Sequence, residues 1–106
     1  MSIILITYTN TLYDSVTNKN INDSVFLIMD EEEEGWEEAQ ATTISSLEAM
    51  EGRPHTDWTQ EEINSVPLIY DETIRGVSNI SVREITQEYL ERIINNEVNP
   101  ITGELI

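Results

Sequence analysis

The feature that most limits what this chain can become is an alternation near its start: Ile4, Ile6, Tyr8, Leu12 and Val16 fall on every second position, interrupted by Asn10 and Asp14. A period of two sustained this long describes a strand with one buried face. Thr7, Thr9, Thr11 and Tyr13 then line the opposite face. Residues 17–20 read TNKN, and asparagine tolerates the positive φ that reverses a strand. The uninterrupted run Val25–Met29 reads as a second, well-buried strand. A long antiparallel hairpin is expected. Alone it would be marginal in water, so helices or a second copy must cover its edges.

Helical spacing supplies the cover. Trp36, Ala39, Thr43, Leu47 and Met50, with Ile44 beside them, recur at intervals of three and four and predict a helix over about residues 32–51. The acids of residues 30–34 would lie at or before its first turn, where free N–H groups favour negative charge, and Gly52 followed by Pro54 would end it. Thr59–Glu62 (TQEE) and Ser81–Glu84 (SVRE) have the form of capping boxes. The first opens a short helix ended by Pro67. The second opens a longer C-terminal helix over residues 81–98, with Val82, Ile85, Tyr89 and Ile93 as its stripe and Leu90 and Ile94 widening it. Between them, Leu68–Tyr70 is expected to be extended and Gly76 to sit in a loop, while residues 99–106 form a turn and a loose tail. The fold class is α+β: one domain spanning residues 1–106, an N-terminal antiparallel β-hairpin with about three helices packed on it.

Charge bounds the function. The chain holds 21 acids against five bases, a net charge of −16. Residues 30–62 carry twelve of the acids against the single cation Arg53, whereas residues 1–29 carry Asp14 and Asp23 against Lys19. Such a balance disfavours contact with nucleic acid or anionic membrane and favours a basic protein partner. There is no cysteine, hence no disulfide and no thiolate metal site. The N-terminal segment lacks a basic region and its apolar run is too short to span a bilayer, so a cytoplasmic protein is expected.

Chemical motifs are sparse. Asp30, Glu32, Glu34, Gly35 and Glu38 fall on five positions of an EF-hand calcium loop, but the twelfth position, which needs a bidentate glutamate, is Ala41, and the preceding residues read as strand. His55, the single histidine, has Asp57 nearby and no nucleophile context. Nucleotide-binding glycine loops, the nucleophile elbow and the zinc-protease helix motif are all absent. Neither an enzyme nor a bound metal or cofactor is expected.

A domain of this length is about 30 Å across, and that length of duplex DNA carries about eighteen charges. In size and charge the chain resembles phage-encoded nucleic-acid mimics that disable restriction, CRISPR or repair enzymes. The resemblance implies a decoy that blocks the basic DNA- or RNA-binding surface of a partner by competition. The residues expected to stand in for phosphates are Asp30, Glu31, Glu32, Glu33, Glu34, Glu37, Glu38, Asp57, Glu61 and Glu62, with Trp58 as an aromatic anchor, since tryptophan is over-represented among interface hot spots. Trp36, by its helical spacing, belongs to the core. The alternative is a small structural or assembly adaptor that self-associates through its hairpin, and edge pairing of two copies would give a homodimer under either reading.

Overall fold

The computed structural model describes residues 3–32, 34–65 and 72–106. Its first elements are the hairpin: β1 (Ile3–Asp14) and β2 (Lys19–Asp30) pair antiparallel without a break, from Ile3 opposite Asp30 to Asp14 opposite Lys19. The reversal occupies residues 15–18. There the Asp14 carboxylate accepts the Val16 N–H at 2.9 Å and the Thr17 hydroxyl at 3.0 Å. Asn18 takes φ 55° and accepts the Tyr13 hydroxyl at 2.6 Å. Asparagine enters that left-handed region more readily than most residues.

A third strand, β3 (Ile74–Ile85), pairs antiparallel with the other edge of β1, so the sheet order is β2-β1-β3. This corrects two expectations. Gly76 is not in a loop but inside β3, opposite Thr11. Ser81–Glu84 is not a helix cap but strand, with Ser81 opposite Thr7 and Glu84 opposite Ile4. A hydroxyl and a carboxylate three apart make only a local preference, and pairing against a central strand buried on both faces outweighs it. The pairing shifts register between Thr7 and Thr9 and again between Thr11 and Leu12, and Asn79 takes φ 55° at the first shift. A left-handed residue is one way an antiparallel strand absorbs an extra position, and the shift disguises the period-two pattern. Leu68–Tyr70 lies outside the described residues.

One face of the sheet is covered by α1 (Trp36–Met50), a single 3-10 turn (His55–Asp57) and α2 (Gln60–Ser65). Ile6 and Tyr8 of β1, Leu47 and Met50 of α1, Trp58, Ile74 and Val77 form the main core, with Ile4, Leu12, Val25, Leu27, Met29, Ile44, Ile63 and Ile80 against it. Of the expected α1 stripe, Thr43, Leu47 and Met50 are buried, Trp36 and Ile44 half-buried, and Ala39 exposed. The helix begins later than expected: Gly35, at φ 77°, stands at its N-cap, so Asp30, Glu31, Glu32 and Glu34 remain outside it. Gly52, at φ 74°, follows its end, and the Gly52 N–H bonds the Val77 carbonyl at 3.2 Å, fastening the helix to β3. Thr59–Glu62 is a capping box in fact. The Thr59 hydroxyl accepts the Glu62 N–H at 3.1 Å and the Glu62 carboxylate accepts the Thr59 N–H at 3.2 Å.

The other face carries α3 (Gln87–Ile94) and the C-terminal segment. Arg83, opposite Leu5, lies 5.3 Å over the Tyr89 ring and donates to the Tyr89 hydroxyl at 2.9 Å, which holds α3 on the side where Ile3 and Leu5 are buried. Ile93 and Val98 are buried there too, outside the main core. The C-terminal helix is thus shorter than expected, and its cap is Thr86, whose hydroxyl accepts the Tyr89 N–H at 3.1 Å. Nor is the tail loose: Val98 bridges Leu105, and the Asn99 N–H bonds the Glu104 carbonyl at 2.8 Å. Among the described residues the fold is α+β, a three-stranded antiparallel sheet and three α-helices, with the hairpin N-terminal and the helices divided by β3. No helix among them is long and apolar enough to cross a membrane.

Candidate functional site

The acids of the middle third come from four successive pieces of chain. The first is the exit from β2. Asp30, half-buried at the strand end, accepts the Glu32 N–H at 3.0 Å, which turns the chain out of the sheet. Glu31 is half-buried, Glu32 and Glu34 are exposed, and Glu33 lies outside the described residues. Next is α1. Glu37 and Glu38 occupy its first turn, where the positive end of the helix dipole stabilises them, and both are exposed. Glu48 and Glu51, also exposed, mark its other end. Glu37 and Glu48 are eleven residues apart, which on an α-helix is about 16 Å along the axis and about 20° around it. They share a face.

The remaining acids belong to the turn and helix that follow. Asp57 is exposed at the end of the 3-10 turn, and Glu61 is exposed in the first turn of α2. Glu62 stands beside them, but its carboxylate is engaged within the fold by the Thr59 N–H and by Arg53. The Thr59 N–H foremost, then the Thr59 hydroxyl and the Arg53 charge, hold Glu62 below the usual glutamate range against an opposing desolvation. A shallow groove of about 410 Å³ runs between α1 and α2, lined by Ala41, Thr42, Ser45, Ser46 and Ala49 with Glu61 and Glu62 alongside. The acids therefore form two groups on the helical layer, one at each end of α1, with a neutral small-residue strip between them.

Arg53 is the residue that sequence reasoning undervalued. Counted only as a charge, it is the fastener of this layer: its guanidinium donates to the Ala49 carbonyl at the end of α1, to the Asp57 carbonyl at 3.2 Å, and to Glu62 of α2. Nothing in the spacing announces this, because the three acceptors meet only after folding. The two tryptophans also exchange the roles expected of them. Trp58 is 9% exposed and part of the main core, edge-on to His55 with ring centroids 6.5 Å apart, whereas Trp36 stays half-exposed among Glu34, Glu37 and Glu38. An aromatic contact for a partner would come from Trp36 more readily than from Trp58.

His55 is half-buried, with Nε2 3.4 Å from the Arg75 guanidinium. Among the described residues no three histidine or acidic side chains converge as a metal site, and the five EF-hand positions at residues 30–38 do not come together as one. A second cleft, of about 320 Å³, opens on the other face among Thr7, Thr9, Asn79, Ser81, Arg83 and Thr102. Its one cation, Arg83, is already directed at Tyr89 and the Pro100 carbonyl. No protein-family model, curated protein or solved structure matches the chain at a significant level.

Proposed function

We propose that this protein is an acidic nucleic-acid mimic, acting in the cytoplasm by occupying the basic DNA- or RNA-binding surface of a partner protein and blocking it by competition, in the manner of phage-encoded anti-restriction, anti-CRISPR or anti-repair proteins. One observation carries the reading. The acids that follow β2 lie on segments covering the same face of the sheet, and the only cation in residues 30–62, Arg53, is turned inward onto Glu62 and two carbonyl oxygens. Glu37, Glu38 and Glu48 of α1 and Asp57 of the 3-10 turn are exposed on that layer. The molecule measures 41 × 32 × 18 Å with a net charge of −16, and 41 Å of duplex carries about 24 charges, so its charge approaches that of the ligand it would replace.

Such a decoy needs no bond-making chemistry. Electrostatic steering would bring it quickly to a cationic cleft, and dissociation would be slowed by close contacts such as that of Trp36. The test is a competition experiment: a fluorescent duplex bound to a basic restriction, CRISPR or repair nuclease, titrated with this protein. Displacement is expected at low salt and should weaken steeply between about 50 and 200 mM, as it does for ligands presenting many phosphates. The variant E37Q/E38Q/E48Q/E61Q, which leaves the Arg53–Glu62 contact intact, is expected to displace the duplex at least about tenfold less well. Equal displacement by that variant, or no displacement of duplex or RNA from any such enzyme, would remove the proposal.

A further inference from the structure

The hydroxyl row of β1 takes no part in the acidic layer. It lies on the face that α3 and the C-terminal segment cover only in part: Ile3 and Leu5 are buried there, whereas Thr7 and Thr9 stay half-buried. Beyond that cover the cleft of about 320 Å³ opens, lined by Thr7, Thr9, Asn79, Ser81, Arg83 and Thr102. Register places these groups together. Ser81 stands opposite Thr7 and Arg83 opposite Leu5, which puts both on this face, and Asn79, at φ 55°, interrupts β3 where the pairing shifts between Thr7 and Thr9. The remaining wall is the C-terminal segment, and it is pinned. Asn99 Oδ1 accepts the Ile101 N–H at 2.9 Å and the Thr102 N–H at 3.4 Å, and the Asn99 carbonyl accepts the Gly103 N–H at 2.7 Å.

The lining is chemically one-sided. Thr7, Thr9, Ser81 and Thr102 bring hydroxyls, Asn79 an amide and Arg83 a guanidinium, and among the described residues no carboxylate lines the cleft, in a chain with 21 acids. Each of these groups can donate a hydrogen bond. Arg83 reaches the Tyr89 hydroxyl at 2.9 Å and the Pro100 carbonyl at 3.5 Å through Nη2 alone, so Nε and Nη1 have no partner, and Arg83 no ion pair, among the described residues. The Tyr89 ring, 5.3 Å from the guanidinium, helps to hold it in place. Thr102 accepts the Glu104 N–H at 3.3 Å and keeps its own proton to donate. Donors gathered around a held guanidinium suit an anion rich in acceptor oxygens. A neutral sugar would leave the guanidinium unmatched, and a carboxylate would satisfy it with only two oxygens, leaving most of the hydroxyls idle. A phosphoryl group has oxygens for both. We infer that this cleft binds a small phosphate monoester, its phosphoryl group on Arg83, Ser81 and Thr7 and its polar remainder toward Thr9, Asn79 and Thr102. The volume is at the small end of ligand pockets, which limits the ester to a few carbons.

The inference does not depend on the proposed mimicry. Its test is an NMR titration of the isotope-labelled full chain with glycerol phosphate, inorganic phosphate and glycerol, at a constant ionic strength of about 0.15 M. Glycerol phosphate is expected to shift the amide signals of Thr7, Ser81 and Thr102 and the Arg83 Nε–H saturably, with a Kd below about 1 mM. Inorganic phosphate should shift the same signals more weakly, and glycerol should leave them in place. Arg83→Gln should weaken glycerol phosphate binding about tenfold or more. Because Arg83 also holds Tyr89 of α3, a second variant leaves that contact alone: T7V/T9V keeps β-branched side chains in the strand, removes two hydroxyls, and should weaken binding about fivefold or more. Circular dichroism verifies the folding of each variant. No saturable shift at about 20 mM glycerol phosphate, an equal response to glycerol, tighter binding of inorganic phosphate than of the ester, shifts on the helical layer in place of the cleft, or T7V/T9V binding as tightly as the wild type each overturns the inference.

Discussion

Asn10 interrupts the apolar row of β1 between Tyr8 and Leu12; it is 7% exposed, and its Oδ1 has no hydrogen-bond partner among the described residues. An unmet buried amide oxygen costs about 1–3 kcal/mol, so this residue opposes the fold that contains it. Asn10→Val, a β-branched residue suited to a strand, is expected to leave stability unchanged or raise it by about 1 kcal/mol in urea unfolding. A loss above about 1 kcal/mol would show that the amide supplies an interaction after all. Its neighbour Tyr8 is 2% exposed, and burial pushes its phenol up to about 12 from an ordinary value of 10.0. The unfolded chain gives up that proton near pH 10 while the folded protein keeps it until near 12. The stabilisation is therefore complete below pH 10 and is lost as pH rises through 12, an effect on the order of 2 kcal/mol. An ultraviolet titration should show a late phenol phase, and Tyr8→Phe should abolish that phase and flatten the alkaline loss of stability. Asp14 and Glu62 run the other way. Their lowered values, due mainly to the Val16 and Thr59 N–H groups, mean a contribution present above the ordinary carboxylate range and lost as pH falls through the depressed value. Alternation marked Ile6 and Tyr8 as buried, but it overreached at Val16, which is 90% exposed in the turn, and it missed Ile3 and Leu5, buried on the opposite side of β1; nor could it say which polar group would find a partner.

Helix starts were legible where the signal was reciprocal and illegible where it was only similar. Thr59–Glu62 closes on itself through two hydrogen bonds, whereas Ser81–Glu84, of the same form, is paired into β3. The working cap of α3 is Thr86, five residues further on. Thr86→Ala is expected to cost about 1 kcal/mol, measured by thermal or urea unfolding, while Ser81→Ala should cost less than about 0.5 kcal/mol. The opposite order would mean that the C-terminal helix begins at Ser81 and that the third strand is shorter. Arg53 belongs to this scale as well, since it joins the end of α1, the 3-10 turn and α2 through three acceptors. A lysine there has the charge without the fork, so Arg53→Lys cannot reproduce the three-way contact.

For the molecule as a whole, net charge governs. A charge of −16 on a slab 18 Å thick in its shortest dimension repels itself, and salt should relieve that repulsion. Calorimetry is expected to show Tm rising by about 4 °C or more between 10 and 500 mM sodium chloride, equivalent to about 1 kcal/mol in a domain of this size. A flat or falling Tm would mean that the carboxylates are compensated within the fold, which would weaken the case for an open acidic layer. What sequence determined unaided were properties carried by neighbours along the chain: the hairpin and its turn, the middle helix, one true capping box, and the concentration of acid in residues 30–62. Tertiary structure alone decided the rest. The third strand, the inward turn of Arg53 and the burial of Trp58 all depend on groups distant in sequence. Local preferences of a few tenths to one kcal/mol yield when a segment can complete a sheet around a strand buried on both faces.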